Sequence, residues 1–188
     1  MPPLQLAASL LSIIYIYLAS KNKAAAFVFG AIGCTIWAYE DFVNINLKFD
    51  GVLQIFYVII AIFGLINWSR KKNGGQLKIR TIPFPYHLAI IGAGVLISIL
   101  LSSVSYQFFE TNLPFLDATT TAFSIIATIL LTLRYIDNWY YWLIIDPIYI
   151  YIYIKVGAPI FAVIMVIFTG MAMVGLYNWT KINDSQKG

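Results

Sequence analysis

Apolar residues run along this chain in long blocks rather than alternating with polar ones, and short charged stretches separate the blocks. About 20 mostly apolar residues suffice to cross a bilayer as a helix. Seven such blocks occur, at roughly 4–19, 24–42, 51–68, 87–104, 115–133, 138–154 and 158–179. Little sequence remains between them for a separate soluble domain. The pattern predicts an all-α integral membrane protein of seven transmembrane helices. The first block reads as a mature helix, because "MPPLQ" carries no positive side chain and "YLASKNK" makes a poor cleavage site ahead of a charged loop.

Two of the blocks end alike. "GLINWSRKKN" (64–73) closes the third and "GLYNWTKIND" (175–184) the seventh, so Gly, Leu, Asn, Trp, a hydroxyl residue and a base recur in register. Chance likeness between apolar helix ends is the plain alternative to an internal repeat, and charge supplies an independent check. With seven crossings, Lys21, Lys23, Arg70, Lys71, Lys72, Lys78, Arg80, Arg134, Lys181 and Lys187 fall on one side, and only Lys48 and Lys155 on the other. Basic residues favour the cytoplasm, which puts the N-terminus outside and the C-terminus inside. Both "NW" ends are then cytoplasmic, so helices 1–3 and 5–7 run in the same sense. An odd number of crossings strands the chain on the wrong face, and helix 4 restores it. The expected organisation is therefore a 3+1+3 parallel repeat: residues 1–69, a connector with linker helix over 70–106, and 107–188. In such architectures a substrate site lies near the midplane between the halves.

Composition agrees with the pattern: 61% of the residues are hydrophobic and 11% charged, against roughly 45–50% apolar usage in soluble domains. The net charge of +4 sits in the short loops, which reads as topology and not as a face for nucleic acid. Cys34, the single cysteine, lies in an apolar run and reads as a small packing residue. The long polar stretch "SRKKNGGQLKIRTIPFPYH", with Gly74, Gly75, Pro83 and Pro85, reads as a connector between halves. Catalysis finds little material. There is one histidine, His87, expected near the headgroups, and the pattern shows no H-x-x-x-H, no phosphate-cradling glycine loop and no pair of buried carboxylates. No enzyme activity, metal or cofactor is expected.

The informative residues are polar groups inside the blocks. Asp146 has about eight helical residues on either side. A charge at that depth costs a few kcal/mol or more and usually marks a substrate or ion path, with structural pairing to a Tyr or Thr hydroxyl as the alternative. Trp139, Trp142, Asp146, Tyr149 and Tyr153 follow 3,4,3,4 spacing and share one helix face. Two indoles beside a carboxylate suit a flat delocalised cation, each ring contributing about 0.5 to 2 kcal/mol when desolvated. Membership of the interfacial aromatic belt fits Tyr140 well, Trp139 less well, and Trp142, a turn deeper, least. Pro147 removes a backbone donor to the Leu143 carbonyl, which makes either a hinge or a static kink there. Gln54, early in helix 3, and the repeat-related Asn67 and Asn178 both donate and accept, as a carboxamide or sugar hydroxyl requires. An asparagine before tryptophan at a helix end serves equally as a cap or interhelical bond. In helix 5, Thr119, Thr120, Thr121, Ser124 and Thr128 suggest close helix packing, and Asp117 in the first turn complements the helix dipole.

With these residues in view, the chain resembles the PnuC-type nicotinamide riboside transporters. The resemblance runs through "LQIFYVIIAIFGLINW" (53–68), "LKIRTIPFP" (77–85), "PFLDATTTAFSIIATILLTLRYIDNWYYW" (114–142) and "GLYNW" (175–179). Its most specific piece is the W-x-x-W of Trp139 and Trp142 after Asn138. The resemblance implies a SWEET-like fold, usually trimeric, in a bacterial inner membrane, moving nicotinamide riboside by facilitated diffusion that feeds NAD biosynthesis. It implies that Trp139 and Trp142 flank the substrate ring and that Gln54 and Asn178 hydrogen-bond it. Asp146 stands where the family pattern allows Asn or Asp, and bears on which vitamin is carried. Relatives that carry thiamine or riboflavin leave a second reading, since thiamine is also a flat cation, and a carboxylate at the depth of Asp146 also offers a place for proton coupling. A third reading, from a different class, is a structural membrane subunit whose tryptophans only anchor helices.

Overall fold

The computed structural model describes residues 2–45, 48–72, 75–76, 78–108 and 114–187. Gly74 of the connector and the segment between the fourth and fifth helices at 109–113 lie outside them. Seven α-helices account for most of the described chain: α1 (Pro3–Ser20), α2 (Ala26–Tyr39), α3 (Lys48–Ser69), α4 (Phe84–Phe108), α5 (Pro114–Thr132), α6 (Asn138–Lys155) and α7 (Pro159–Ser185). All seven apolar blocks are thus helical. Within the polar connector, β1 (Lys71–Lys72) and β2 (Gly75–Gln76) form a two-stranded antiparallel pair, Lys71 opposite Gln76 and Lys72 opposite Gly75.

Among the described residues, six stretches are long and apolar enough to cross a membrane: Pro3–Ser20, Ala26–Asn44, Gly51–Ser69, Phe84–Ser103, Pro114–Thr132 and Pro159–Ser185. The chain is a multi-pass integral membrane protein. Helix α6 is absent from that set because its Trp, Tyr, Asn, Asp and Lys residues dilute its Ile and Leu. Low apolarity in a helix of full spanning length marks it as the one with polar business.

By its contacts the chain forms two compact units, Met1–Lys78 with Val174–Gly188, and Ile79–Met173. In the first, α2 packs against α1 and α3. Gly64 on α3 permits that approach, because a Cβ there would lie 2.4 Å from the ring of Phe27. Phe27 in turn meets Trp68 edge-on at 4.8 Å and tilts against Tyr15 at 6.2 Å, and Trp68 lies 5.6 Å from Trp179. In the second unit, α5 packs against both α4 and α6. Ala127, Leu130, Tyr141 and Ile145 form its buried centre, flanked by Ile90, Phe123, Ile126, Trp142 and Tyr149. Gly94 lets α4 close on α5, since its Cβ would come within 2.6 Å of the Phe123 ring. Three α5 hydroxyls bond within their own helix: Thr119, Thr128 and Thr132 each donate to the carbonyl four residues back. Such bonds satisfy a hydroxyl within its own helix.

The helix hairpins close by a common device. After α1, Asn22 takes a left-handed φ of 55°, its N–H donates to the Ala19 carbonyl (2.9 Å), and the Lys23 N–H donates to Leu18 (3.0 Å). After α5, Arg134 takes φ 60°, its N–H donates to Leu131 (2.9 Å), and the Tyr135 N–H donates to Leu130 (2.9 Å). After α6, Gly157 at φ 75° does the same with Ile154, and Ala158 with Tyr153. Each pair of bonds satisfies carbonyls that the helix end would leave unpaired. Glycine suits the conformation best and asparagine tolerates it, whereas arginine there is strained.

Helix α2 does not stop where its apolar block ends. It continues as a π-helical segment, Glu40–Ile45, that turns Glu40 and Asp41 inward to 2% and 5% exposure. Gln5 and Asn44 donate their amides to Glu40 at 3.2 and 2.7 Å. The expectation of no paired buried carboxylates is therefore corrected. A wider helical turn, and not sequence spacing alone, brings two adjacent acids inside.

Candidate functional site

Helix α6 begins at Asn138 and carries the W-x-x-W in its first two turns. Trp139 is fully buried, Trp142 half-buried, and Asp146, one turn further, is 1% exposed. Pro147 lies within a helix that continues through it to Lys155. Among the described residues, the indole Nε1–H of Trp142 and the Oδ1 of Asp146 are buried with no hydrogen-bonding partner. A buried polar atom left unpaired costs about 1–3 kcal/mol, more for a charged one. The two atoms lie a helical turn apart, one a donor and the other an acceptor.

Further along the helix, the hydroxyl of Tyr149 accepts from Ser124 Oγ at 3.4 Å and sits among Thr120 and Thr121 of α5. Its ring stacks on Tyr153 at 5.9 Å, and Tyr153 leans on Phe161 at 5.4 Å. The aromatic run expected along one face of this helix is present, and its inner members differ from its outer ones. Trp142 and Asp146 keep unmatched polar atoms, whereas Tyr149 has a partner.

The first turn of α6 is held from outside the helix. Asp137, at the N-cap position, does not cap its own helix. Its Oδ2 accepts the Ile82 N–H at 2.8 Å and its Oδ1 lies 3.2 Å from His87 Nε2. His87 Nδ1 lies 3.1 Å from the Tyr141 hydroxyl, and the two rings stack at 6.0 Å. Arg80 pairs along the same turn through its backbone, its N–H donating to Arg134 and its carbonyl accepting from Ile136, both at 2.9 Å. Its guanidinium reaches the Leu133 carbonyl at 3.0 Å and lies 4.7 Å over the Tyr135 ring. Burial of Arg134 pushes its guanidinium down to about 10, which leaves it protonated at neutral pH. His87 is thus a half-buried member of a polar network at the start of α4. The proline-bearing connector folds back and places it over Tyr141.

The expected amides lie in the other unit. Asn178 donates its Nδ2 to the Ser20 carbonyl at 3.2 Å, and the adjacent Trp179 donates Nε1 to Ala19 at 3.1 Å. The two side chains cover carbonyls at the end of α1. Asn67 is half-buried one residue before the buried Trp68. Gln54 is half-buried in the second turn of α3, which starts earlier than its apolar block. Sequence reading missed Asp137, Tyr141 and the buried pair Glu40 and Asp41. For Asp137 the signal was present, an acid at the start of a helix, but its partners lie 50 and 55 residues away. No group of three or more His, Cys, Asp or Glu side chains suited to a metal ion occurs among the described residues.

A protein-family model described as nicotinamide mononucleotide transporter matches residues 2–181. The nicotinamide riboside transporter PnuC of Escherichia coli (strain K12) is 28% identical over 196 residues, covering 90% of this chain and 81% of that protein. The protein of the same name from Neisseria mucosa is 24% identical, covering 96% of this chain and 73% of its own length. The crystal structure of the vitamin B3 transporter PnuC matches with a TM-score of 0.77 at 22% identity, over 97% of this chain and 82% of that one. That likeness establishes the fold. With nearly the whole chain matched by the family model, the chain belongs to the nicotinamide mononucleotide transporter family.

Proposed function

We propose, on the premise of that membership, that the protein carries nicotinamide riboside across a membrane by facilitated diffusion, delivering it to NAD biosynthesis. The observation that carries the reading is the α6 face. In this reading Trp142, half-buried, offers indole surface to the pyridinium ring and Asp146 a carboxylate to its positive charge, while Trp139, fully buried, would be uncovered to flank the ring. The unmatched Trp142 Nε1–H and Asp146 Oδ1 ask for one acceptor and one donor, and the carboxamide of nicotinamide bears both. Relatives that bear the name nicotinamide riboside transporter support the choice of ligand.

The architecture in this reading is a seven-crossing, SWEET-like 3+1+3 parallel repeat in a bacterial inner membrane, with the N-terminus outside, the C-terminus cytoplasmic and a homotrimeric assembly. The like-built turns after α1 and α5, and the paired "NW" helix ends, support the repeat. In this reading substrate rests on the α6 face on its way across the membrane. Gln54, Asn67 and Asn178 are the amides of the first unit that this reading offers to ribose or carboxamide. For Asn178 the bond to Ser20 engages one donor, and its carbonyl oxygen remains to accept. Calorimetric titration of the purified chain against nicotinamide riboside, thiamine and riboflavin tests the assignment. Binding of nicotinamide riboside that Trp142→Ala removes is expected. Preference for thiamine transfers the assignment to that vitamin, and binding of none contradicts it.

A further inference from the structure

Helix α6 must present Trp139, Trp142 and Asp146 at a fixed rotation, and a single helix can turn about its own axis unless something grips it. The grip here comes from a segment distant in sequence. Asp137 sits where a side chain would ordinarily cap α6, yet both of its oxygens are committed to the connector and α4, at Ile82 N–H (2.8 Å) and His87 Nε2 (3.2 Å). With Nε2–H donating to that carboxylate, Nδ1 is left to accept the Tyr141 hydroxyl proton at 3.1 Å. The bonds therefore run in one direction, from Tyr141 through His87 to Asp137. They tie two points of the first turn of α6, residues 137 and 141, to one imidazole on α4. Tyr141 is buried, stacks on Phe123 at 6.3 Å and immediately precedes Trp142 in the chain.

We propose that His87, Asp137 and Tyr141 are positioning residues, a hydrogen-bonded brace from α4 that sets the rotation of α6 and so the orientation of its Trp142 and Asp146 face. The brace touches no substrate and acts through the indole beside it. Holding two points one turn apart fixes rotation, which a single contact would leave free. Its ligand arm rests on the transport reading above, and its spectroscopic arm does not.

The test uses the full chain in detergent or nanodiscs, with His87→Ala, His87→Gln, Tyr141→Phe and the double variant His87→Ala/Tyr141→Phe. Three quantities are read: nicotinamide riboside affinity, melting temperature, and the tryptophan bands of the near-ultraviolet circular dichroism. Losing the brace is expected to weaken affinity roughly three- to tenfold, the scale of one hydrogen bond. The double variant should be no weaker than the worse single one, because both break the same chain of bonds. His87→Gln, which keeps a donor and an acceptor, should recover most of the affinity. The indole bands should change in His87→Ala, and that change should vanish in a Trp142→Phe background, with the melting temperature lowered only slightly. Affinity and indole bands that stay as in the parent overturn the proposal. So does a loss of affinity that merely follows a lower melting temperature and that His87→Gln does not restore. Should the parent chain bind no nicotinamide riboside, the transport reading fails, and the indole bands alone decide the brace by the same criteria.

Discussion

Both the α1–α2 and the α5–α6 hairpins turn through a left-handed residue that is not glycine, Asn22 in one and Arg134 in the other, and both return the same two helix-ending hydrogen bonds. Counting forward from those residues, Phe27 corresponds to Trp139, Gly30 to Trp142 and Cys34 to Asp146. In the first hairpin these positions pack helices together. Phe27 fills the space between Tyr15, Trp68 and Gly64, and Gly30 lies so near Tyr15 that a Cβ would come within 3.0 Å of its ring. In the second hairpin the same positions hold two indoles and a carboxylate, two of them with an unmatched buried polar atom. One backbone path thus serves packing in one place and, in the proposed reading, recognition in the other. The brace belongs to the second hairpin, where Ile82 and His87 grip Asp137 and Tyr141. The first is closed at its helix end by Asn178 and Trp179. If α6 bears the site, the difference teaches that a site-bearing helix is held in rotation by a brace, whereas a packing helix is held by the packing itself.

Exchanging the two roles should separate stability from binding. The largest effect belongs to Phe27→Ala, which empties a closely packed nest and should lower unfolding free energy by about 3–5 kcal/mol while the folded fraction binds nicotinamide riboside as before. Chemical denaturation and calorimetry read the two quantities. Trp142→Ala should weaken affinity by about 2 kcal/mol, roughly thirtyfold, with a smaller loss of stability than Phe27→Ala because the indole is only half-buried. Its counterpart Gly30→Ala crowds Tyr15 and should cost about 1 kcal/mol of stability with affinity unchanged. If Gly30→Ala impairs binding as Trp142→Ala does, the division of labour between the hairpins is wrong.

Asp146→Asn removes the anion and keeps the shape, and should weaken a cationic ligand about tenfold. Cys34→Ala at the corresponding position should leave affinity where it was. The smallest effect is expected at the turns. Asn22→Gly relieves a left-handed residue and should shift stability upward by about 0.5 kcal/mol. Arg134→Gly gains the same relief but loses a buried guanidinium, so the net change should be a destabilisation of about 1 kcal/mol, read from paired melting curves.

How much of this was legible in the sequence follows from the range of each interaction. Every helix announced itself as an apolar block, because spanning length and apolarity are local properties. Helix α6 was the exception in degree, since its tryptophans, tyrosines and Asp146 lower its apolarity, and its neighbours made it readable as a span. The unmatched atoms of Trp142 and Asp146 lie on the face that the 3,4 spacing had marked. Asn178 shows the opposite case. A donor at a helix end reads alike whether it meets a ligand or a carbonyl, and only the fold places Ser20 before it. His87 could not be tied to Asp137 and Tyr141 by spacing, since they lie 50 and 54 positions away. Glu40 and Asp41 fall inside the apolar block at 24–42, and a π-helical turn that buries them is not written in the residue types. Nor is arginine a residue whose type signals a left-handed turn, so the likeness between Arg134 and Asn22 emerged only from the backbone.

The central claim is that the α6 face carries nicotinamide riboside downhill. Uptake of radiolabelled nicotinamide riboside into liposomes containing the purified chain, with and without a pH gradient, tests it most directly. The account predicts uptake that equilibrates the substrate, is indifferent to the gradient and is lost in Trp142→Ala. Uptake that occurs only with the gradient, or that survives Trp142→Ala unchanged, contradicts it.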